Sequence, residues 1–116
     1  MKYDKPMIQA KPGEEIRIRL TIKGKMPKTV MAHNVVVLAL KTDAASFAAA
    51  GVQARATDYI AADKKAQVIA HTPLAGPGET VEVTFKVPAA AGKYDFICSF
   101  PGHFAAGMKG TLVVGK

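Results

Sequence analysis

Apolar and polar residues alternate along several short stretches of the chain. Within residues 15–22 every second residue is apolar, and most of the residues between them are charged. The same period of two recurs in residues 81–87 and leads through residues 94–99 into a Gly- and Pro-containing segment. Because successive side chains of a strand point to opposite faces, these stretches are predicted to be half-buried β-strands.

Two further stretches have the composition of strands. Residues 35–40 are apolar and rich in valine, which predicts a strand buried on both faces. Residues 111–114 form a short final apolar run. Turns containing Gly or Pro separate the runs, as in an all-β sandwich or barrel.

Residues 43–63 break this pattern. The segment from Asp43 to Ala50 is rich in alanine, the best helix former, with Asp43 suited to cap its start and Gly51 to lie near its end. A second helical turn is expected before Asp63. We therefore predict one domain over residues 1–116, an all-β Greek-key sandwich or barrel with one short helical insertion around residues 43–63.

Composition limits the classes of partner. The formal net charge is +7, but no block of five like charges occurs and tryptophan is absent, which argues against nucleic-acid binding. An acidic or hydrophobic protein partner fits better. The chain has no apolar run near 18 residues and no visible leader at its start. The sequence leaves open whether the protein stays in the cytosol or has lost a leader.

The densest group of reactive side chains lies in residues 98–108. Cys98, the only cysteine and so excluded from any internal disulfide, is followed by His103 and then Met108, each five residues on. A thiolate, an imidazole and a thioether suit copper, and His33 upstream would complete a His2Cys site with a long axial Met, the arrangement of a blue-copper centre. Pro101 and Gly102 would brace the loop and allow it to turn before His103. Asn34 is positioned to hold the ligand loop in shape.

Other interpretations of the same residues exist. Cys98 could be a small buried hydrophobe, or a nucleophile with His103 as its base, although the second leaves Met108 unexplained. His33 could be a core histidine, and Met108 could fill a gap in the core. His71 is expected at the surface.

Residues 98–112 resemble the copper loop of azurin, a bacterial cupredoxin, and their Cys-x4-His-x4-Met spacing resembles that of auracyanin. Residues 27–34 resemble the first-ligand segment of azurin, and the likeness extends over residues 16–114. Two departures stand out. Ala32 replaces a glycine whose carbonyl approaches copper in azurin, and Ile22 replaces a buried histidine that titrates there.

The resemblance implies a role for each residue of the site. His33, Cys98 and His103 would be equatorial copper ligands and Met108 the axial one. Asn34 would form a hydrogen bond near the thiolate, and the backbone N–H of Phe100 would donate to the sulfur. The ring edge of His103 would reach the surface and pass electrons. An apolar docking patch would surround it, formed by Met26, Met31, Phe100, Pro101, Gly102 and Phe104.

The resemblance also implies the function. We expect a type 1 copper protein, not an enzyme, that transfers single electrons between redox partners such as c-type cytochromes or a copper or haem reductase or oxidase. We expect a monomer that has no small-molecule substrate. We also expect a periplasmic or other extracytoplasmic location, with a membrane tether possible. A copper storage or delivery module and a domain cut from a larger copper enzyme are the alternatives.

Overall fold

The structure, a computed structural model, describes residues 3–23 and 31–115. Within these residues the strands are β1 (Met7–Ala10), β2 (Glu15–Thr21), β3 (Val36–Leu38), β4 (Val68–His71), β5 (Thr80–Lys86), β6 (Gly92–Ile97) and β7 (Lys109–Val114). One sheet has the strand order β1-β7-β6-β3-β4, and β2 pairs with β5 in a second sheet. All pairs are antiparallel except β1 with β7. The predicted two-sheet β architecture is confirmed.

Each predicted strand corresponds to an observed one, but the strand predicted over residues 35–40 ends early. Leu38 is its last residue, because a turn follows in which Thr42 N donates to Ala39 O and Lys41 adopts a φ of 64°. Leu40 is consequently 37% exposed. The short strands β1 and β4 were not predicted.

Two hydrophobic cores lie on opposite faces of the five-stranded sheet. The first lies between the two sheets and includes Val37, Phe96 and Leu112, with Ile18 and Phe85 of the second sheet packed against it. The second core fills the space between the other face and the helical insertion; its buried members are Val36, Leu38, Phe47, Ile60 and Ile97. Both faces of β3 are therefore buried, as its apolar run predicts.

The helical insertion begins with helix α1 (Ala44–Gly51), and Asp43 caps it by accepting a hydrogen bond from Ser46 N at 3.1 Å. Short 3₁₀ helices follow at Arg55–Thr57 and Ala62–Gln67, so the insertion extends beyond residue 63. In the described part of the chain, no helix is long and apolar enough to cross a membrane.

Candidate metal centre

Cys98 and Met108 stand at the two ends of one loop between adjacent strands. Cys98 directly follows β6 and Met108 directly precedes β7. Cys98 N donates to Met108 O at 3.2 Å, and Met108 N donates to His103 O at 3.0 Å. These bonds fold the loop back on itself, so that the three side chains singled out by their spacing start from one end of the sandwich.

His33 reaches the same place from the segment before β3. Its backbone N–H donates to Ala75 O at 2.9 Å, and its carbonyl accepts from Ala75 N at 2.8 Å, so one isolated bridge fixes it. The adjoining Val35 is held by Thr72, whose hydroxyl accepts from Val35 N at 3.0 Å. The His33 side chain thereby faces the loop that carries Cys98 and His103.

The ligand atoms of His33, Cys98 and His103 all lie within 4.8 Å of one another. The Cys98 sulfur is 4.0 Å from His33 Nδ1 and 3.4 Å from His103 Nδ1. With metal–sulfur and metal–nitrogen bonds of about 2.3 and 2.0 Å, as zinc makes, trigonal ligands would be about 3.7 Å apart. The two distances lie on either side of that value, and the donor types are those of a copper site, so the residues fit a single copper ion.

Burial controls the protonation of these donors. Cys98 is fully buried and His103 is only 4% exposed, whereas His33 is half-buried. Burial and the neighbouring His33 lower the pKa of His103 to about 4, and burial also lowers the pKa of His33. Burial raises the pKa of the Cys98 thiol to about 11, although the backbone N–H groups of Asn34 and Phe100 donate to its sulfur and favour the thiolate. At neutral pH both imidazoles are therefore neutral, as a metal ligand must be.

The side chain of Asn34 joins the two ligand segments. It is fully buried; its Oδ1 accepts from Ser99 N at 2.8 Å and its Nδ2 donates to Ser99 Oγ at 2.9 Å. Ser99 Oγ donates in turn to the carbonyl of Asp58 at 3.0 Å. Asp58 and Tyr59 both have a positive φ, of 55° and 62°, so a conformationally restricted turn of the helical insertion supports the site.

Aromatic rings cover His103. The Phe100 ring lies 4.6 Å from the His103 ring, centroid to centroid, and Tyr59 packs edge-on against Phe100 at 5.2 Å. The prediction that Phe100 N–H donates to the cysteine sulfur agrees with the structure. Close packing on both sides of Phe100 limits the movement of the His103 ring.

The other predicted residues occupy varied positions. Met108 and Ala32 are buried, at 3% and 1% exposure. Met31, Pro101 and Phe104 are half-buried, and Gly102 is exposed with a φ of 84°. Phe104 packs against the second core, with the Lys109 ammonium 5.7 Å from its ring centroid. Met26 lies outside the described residues. His71 is exposed, as expected, at the end of β4.

Comparison with known proteins agrees with this geometry. The family model for copper-binding proteins of the plastocyanin/azurin family matches residues 1–115. The chain belongs to the plastocyanin/azurin family. It is 43% identical to azurin from Alcaligenes faecalis over 97% of this chain and 88% of that protein. It is 41% identical to auracyanin-A from Chloroflexus aurantiacus over 98% of this chain and 67% of that protein.

A solved structure gives the same result. Reduced auracyanin from Roseiflexus castenholzii superposes with a TM-score of 0.85 at 31% identity, over 99% of this chain and 88% of that chain. Family membership together with the His-Cys-His cluster makes this a blue-copper electron-transfer protein, not an enzyme. As an azurin-type cupredoxin it carries electrons between redox partners.

Several residues that support the site were not predicted from the sequence. Ser99 could have been found, because it adjoins Cys98 in the motif. The hydroxyl of Tyr3 donates to Asn34 O at 2.6 Å. In the sequence, 24 to 38 residues separate Asn34 from Tyr3, Asp58 and Thr72. No local pattern marks them, and only the fold brings them to the site.

Proposed function

We propose that Met108 is the fourth, axial ligand of a type 1 copper site whose equatorial ligands are His33, Cys98 and His103. The observation that carries this proposal is the position of Met108. Its buried side chain starts from a backbone that is hydrogen-bonded to both Cys98 and His103. It also lines the same cleft as His33. A weak thioether donor at this point suits the fourth position of a His2Cys site.

The chain supplies a buried, pre-shaped set of donors. Copper bound there would alternate between Cu(I) and Cu(II) and so accept or release one electron. Asn34 and Ser99 hold the two ligand segments together, while N–H groups of Asn34 and Phe100 stabilise the thiolate. Such bracing keeps the donors in place when the charge of the site changes, which lowers the cost of electron transfer.

Addition of Cu(II) to the metal-free protein tests the ligand set. We expect an intense blue thiolate-to-copper band that disappears on reduction and returns on oxidation. Cys98→Ser should abolish the band because a hydroxyl cannot replace the soft thiolate. Met108→Leu should retain the blue colour and raise the reduction potential, since loss of a weak donor disfavours Cu(II). An unchanged potential in Met108→Leu would show that the axial assignment is wrong.

We further propose that electrons enter and leave near His103 through an apolar docking patch. Its members are Met31, Phe100, Pro101, Gly102 and Phe104. Met26, the sixth residue of the predicted patch, lies outside the described residues. Gly102 is exposed, and the other four are half-buried. Three residues of α1 and the residue that follows it form a groove with the loop from Ser99 to Ala105, and the lining of this groove is mainly apolar. None of the residues that line this groove is charged, which permits close approach of a partner.

The proposed partners are c-type cytochromes or a copper or haem reductase or oxidase, in the periplasm or another extracytoplasmic compartment. The net charge of +7 favours a partner with an acidic rim. The two cores share one sheet, which supports a single domain. Measured oxidation of the reduced protein by candidate partners would identify the class that reacts fastest.

A further inference from the structure

Tyr3 is a buried polar residue that lies next to the metal centre but has no part in the predicted ligand set. It is 8% exposed, and its hydroxyl donates to the backbone carbonyl of Asn34 at 2.6 Å. Its ring packs against Phe96 of β6 with centroids 5.3 Å apart. Tyr3 therefore spans from the strand that leads to Cys98 to the residue that follows His33.

The carbonyl that Tyr3 contacts belongs to a residue already held on its other sides. The N–H of Asn34 donates to the Cys98 sulfur, and its side chain makes two hydrogen bonds to Ser99. His33 on one side is fixed by Ala75. The Tyr3 hydroxyl supplies the partner of the Asn34 carbonyl, in a place where a buried, unpaired carbonyl would be unfavourable.

The hydroxyl is suited to a permanent donor role. Burial, with the nearby Cys98 thiolate as a smaller cause, raises the pKa of Tyr3 well above its usual value. It therefore stays protonated at neutral pH and can donate to the carbonyl of Asn34.

We propose that Tyr3 is a positioning residue for the copper site, whose hydroxyl fixes the His33–Asn34 segment at the correct distance from Cys98. The proposal rests on the proposed ligand role of His33. Outer partners of metal ligands commonly control affinity and geometry although they do not touch the ion. Loss of the hydroxyl would allow His33 to move relative to the thiolate without removing any ligand.

Tyr94 provides a matched control. It is also buried, at 3% exposure, and its hydroxyl also donates to a backbone carbonyl, that of Ala90, at 2.6 Å. Ala90 lies before β6, at the strand end opposite to Cys98. Tyr3→Phe and Tyr94→Phe therefore remove the same group and the same kind of bond, one beside the metal centre and one far from it.

The experiment compares the two variants in three measurements: Cu(II) affinity by chelator competition, the EPR spectrum, and amide chemical shifts of the metal-free protein. We expect Tyr3→Phe to lower Cu(II) affinity about tenfold. It should also alter the copper hyperfine splitting and shift the amide signals of Asn34 and Val35. Tyr94→Phe should leave all three unchanged, while both variants lose thermal stability.

Equal copper affinity and EPR spectra in Tyr3→Phe and wild type would overturn the proposal, as would equal changes in both variants. If Tyr3→Phe does not fold, the wild-type protein decides: Cu(I) loading should shift the Tyr3 ring signals more than those of Tyr94, and no shift at Tyr3 would refute the role. The blue band and its loss in Cys98→Ser test the copper site separately, so a failure of the Tyr3 proposal can be told from a failure of the site.

Discussion

Two hydrogen bonds join Asn34 to Ser99, which lies 65 residues further along the chain. Ser99 N donates to Asn34 Oδ1 at 2.8 Å, and Asn34 Nδ2 donates to Ser99 Oγ at 2.9 Å; we call this pair of bonds the clasp. Each residue directly follows a metal-site side chain, His33 and Cys98 respectively. Both are fully buried, so neither bond competes with water. The relative position of the imidazole and the thiolate is thus set by side chains that need not bind the metal.

Breaking the clasp should show non-additive effects. We expect Asn34→Ala and Ser99→Ala each to lower Cu(II) affinity by about 10- to 100-fold. In a double-mutant cycle on the metal-free protein the coupling free energy should be about 1–3 kcal/mol, because the residues share both bonds. Denaturant unfolding of the four proteins measures the coupling free energy.

The exposed hydroxyl pair Thr21 and Thr80, 2.9 Å apart on β2 and β5, is the control. A cycle with Thr21→Val and Thr80→Val should give a coupling free energy near zero and leave copper affinity unchanged. Purely additive effects of Asn34→Ala and Ser99→Ala would mean that the clasp does not link the two segments energetically.

The metal-free protein should lose stability in mild acid. The folded-state pKa values of His33 and His103 are lowered, to about 4 for His103, so the unfolded chain binds more protons once the pH falls below about 6.5. The stability contributed by the neutral imidazoles is present above about pH 6.5 and disappears progressively as the pH falls towards 4. Unfolding free energies measured across this range should decrease with falling pH. In His103→Gln the unfolding free energy should decrease less over this pH range. A decrease equal to that of the wild type would show that groups other than His103 cause it.

The motif residues were predictable because covalent spacing alone places Cys98, His103 and Met108 on one short connection. His33 was also found, through its own sequence context. The residues that orient them were not: Tyr3 and Asp58 reach Asn34 only through the folding of distant segments. A hydrogen bond to a backbone carbonyl also leaves no preferred sequence pattern, since any residue has that carbonyl.

The strands show the same division. β2 and β5 were predicted because apolar and polar residues alternate along them, and in the structure their half-buried and exposed positions alternate over seven residues each. β1 and β4 have only four residues each, and β1 pairs in parallel with β7. Such short edge strands are selected by a partner rather than by their own composition.

Replacement of Gly51 by alanine should destabilise the protein although Gly51 lies in a helix. A Cβ at this position would collide with the backbone carbonyl of Tyr59. Alanine is the better helix former by about 1 kcal/mol. We nevertheless expect Gly51→Ala to lower the unfolding free energy by about 1–3 kcal/mol, the usual cost of overpacking. Because Asp58 adjoins Tyr59 and accepts from Ser99, the blue band should also shift.

Gly115→Ala is the control for this prediction, since no atom of the described residues lies within 4 Å of its added Cβ and its backbone has no positive φ. Denaturant midpoints of both variants measure the difference. A Gly51→Ala protein as stable as wild type would show that the turn at residues 58–59 can move away at little cost.

Electron transfer to an acidic partner should slow as salt is added. The chain has 16 Lys and Arg against nine Asp and Glu, so it attracts an acidic protein at long range. Screening becomes strong once the Debye length falls to about 8 Å near physiological ionic strength. Stopped-flow rates with an acidic c-type cytochrome should therefore fall between low and high salt. With a basic cytochrome the rate should instead rise with salt. The same salt dependence with both cytochromes would show that long-range charge attraction does not control their association with this protein.

Met31 tests the proposed docking patch directly. It is half-buried and lies two residues before His33, so Met31→Lys would place a charge within the apolar patch. We expect slower transfer to the cytochrome with an unchanged visible spectrum, because the ligands stay in place while the partner must desolvate an ammonium group. Met7→Lys adds the same charge on β1, where Met7 is 61% exposed, and should leave the short-range contact intact. If both variants change the rate equally at high salt, where long-range attraction is screened, Met31 is not part of the contact surface.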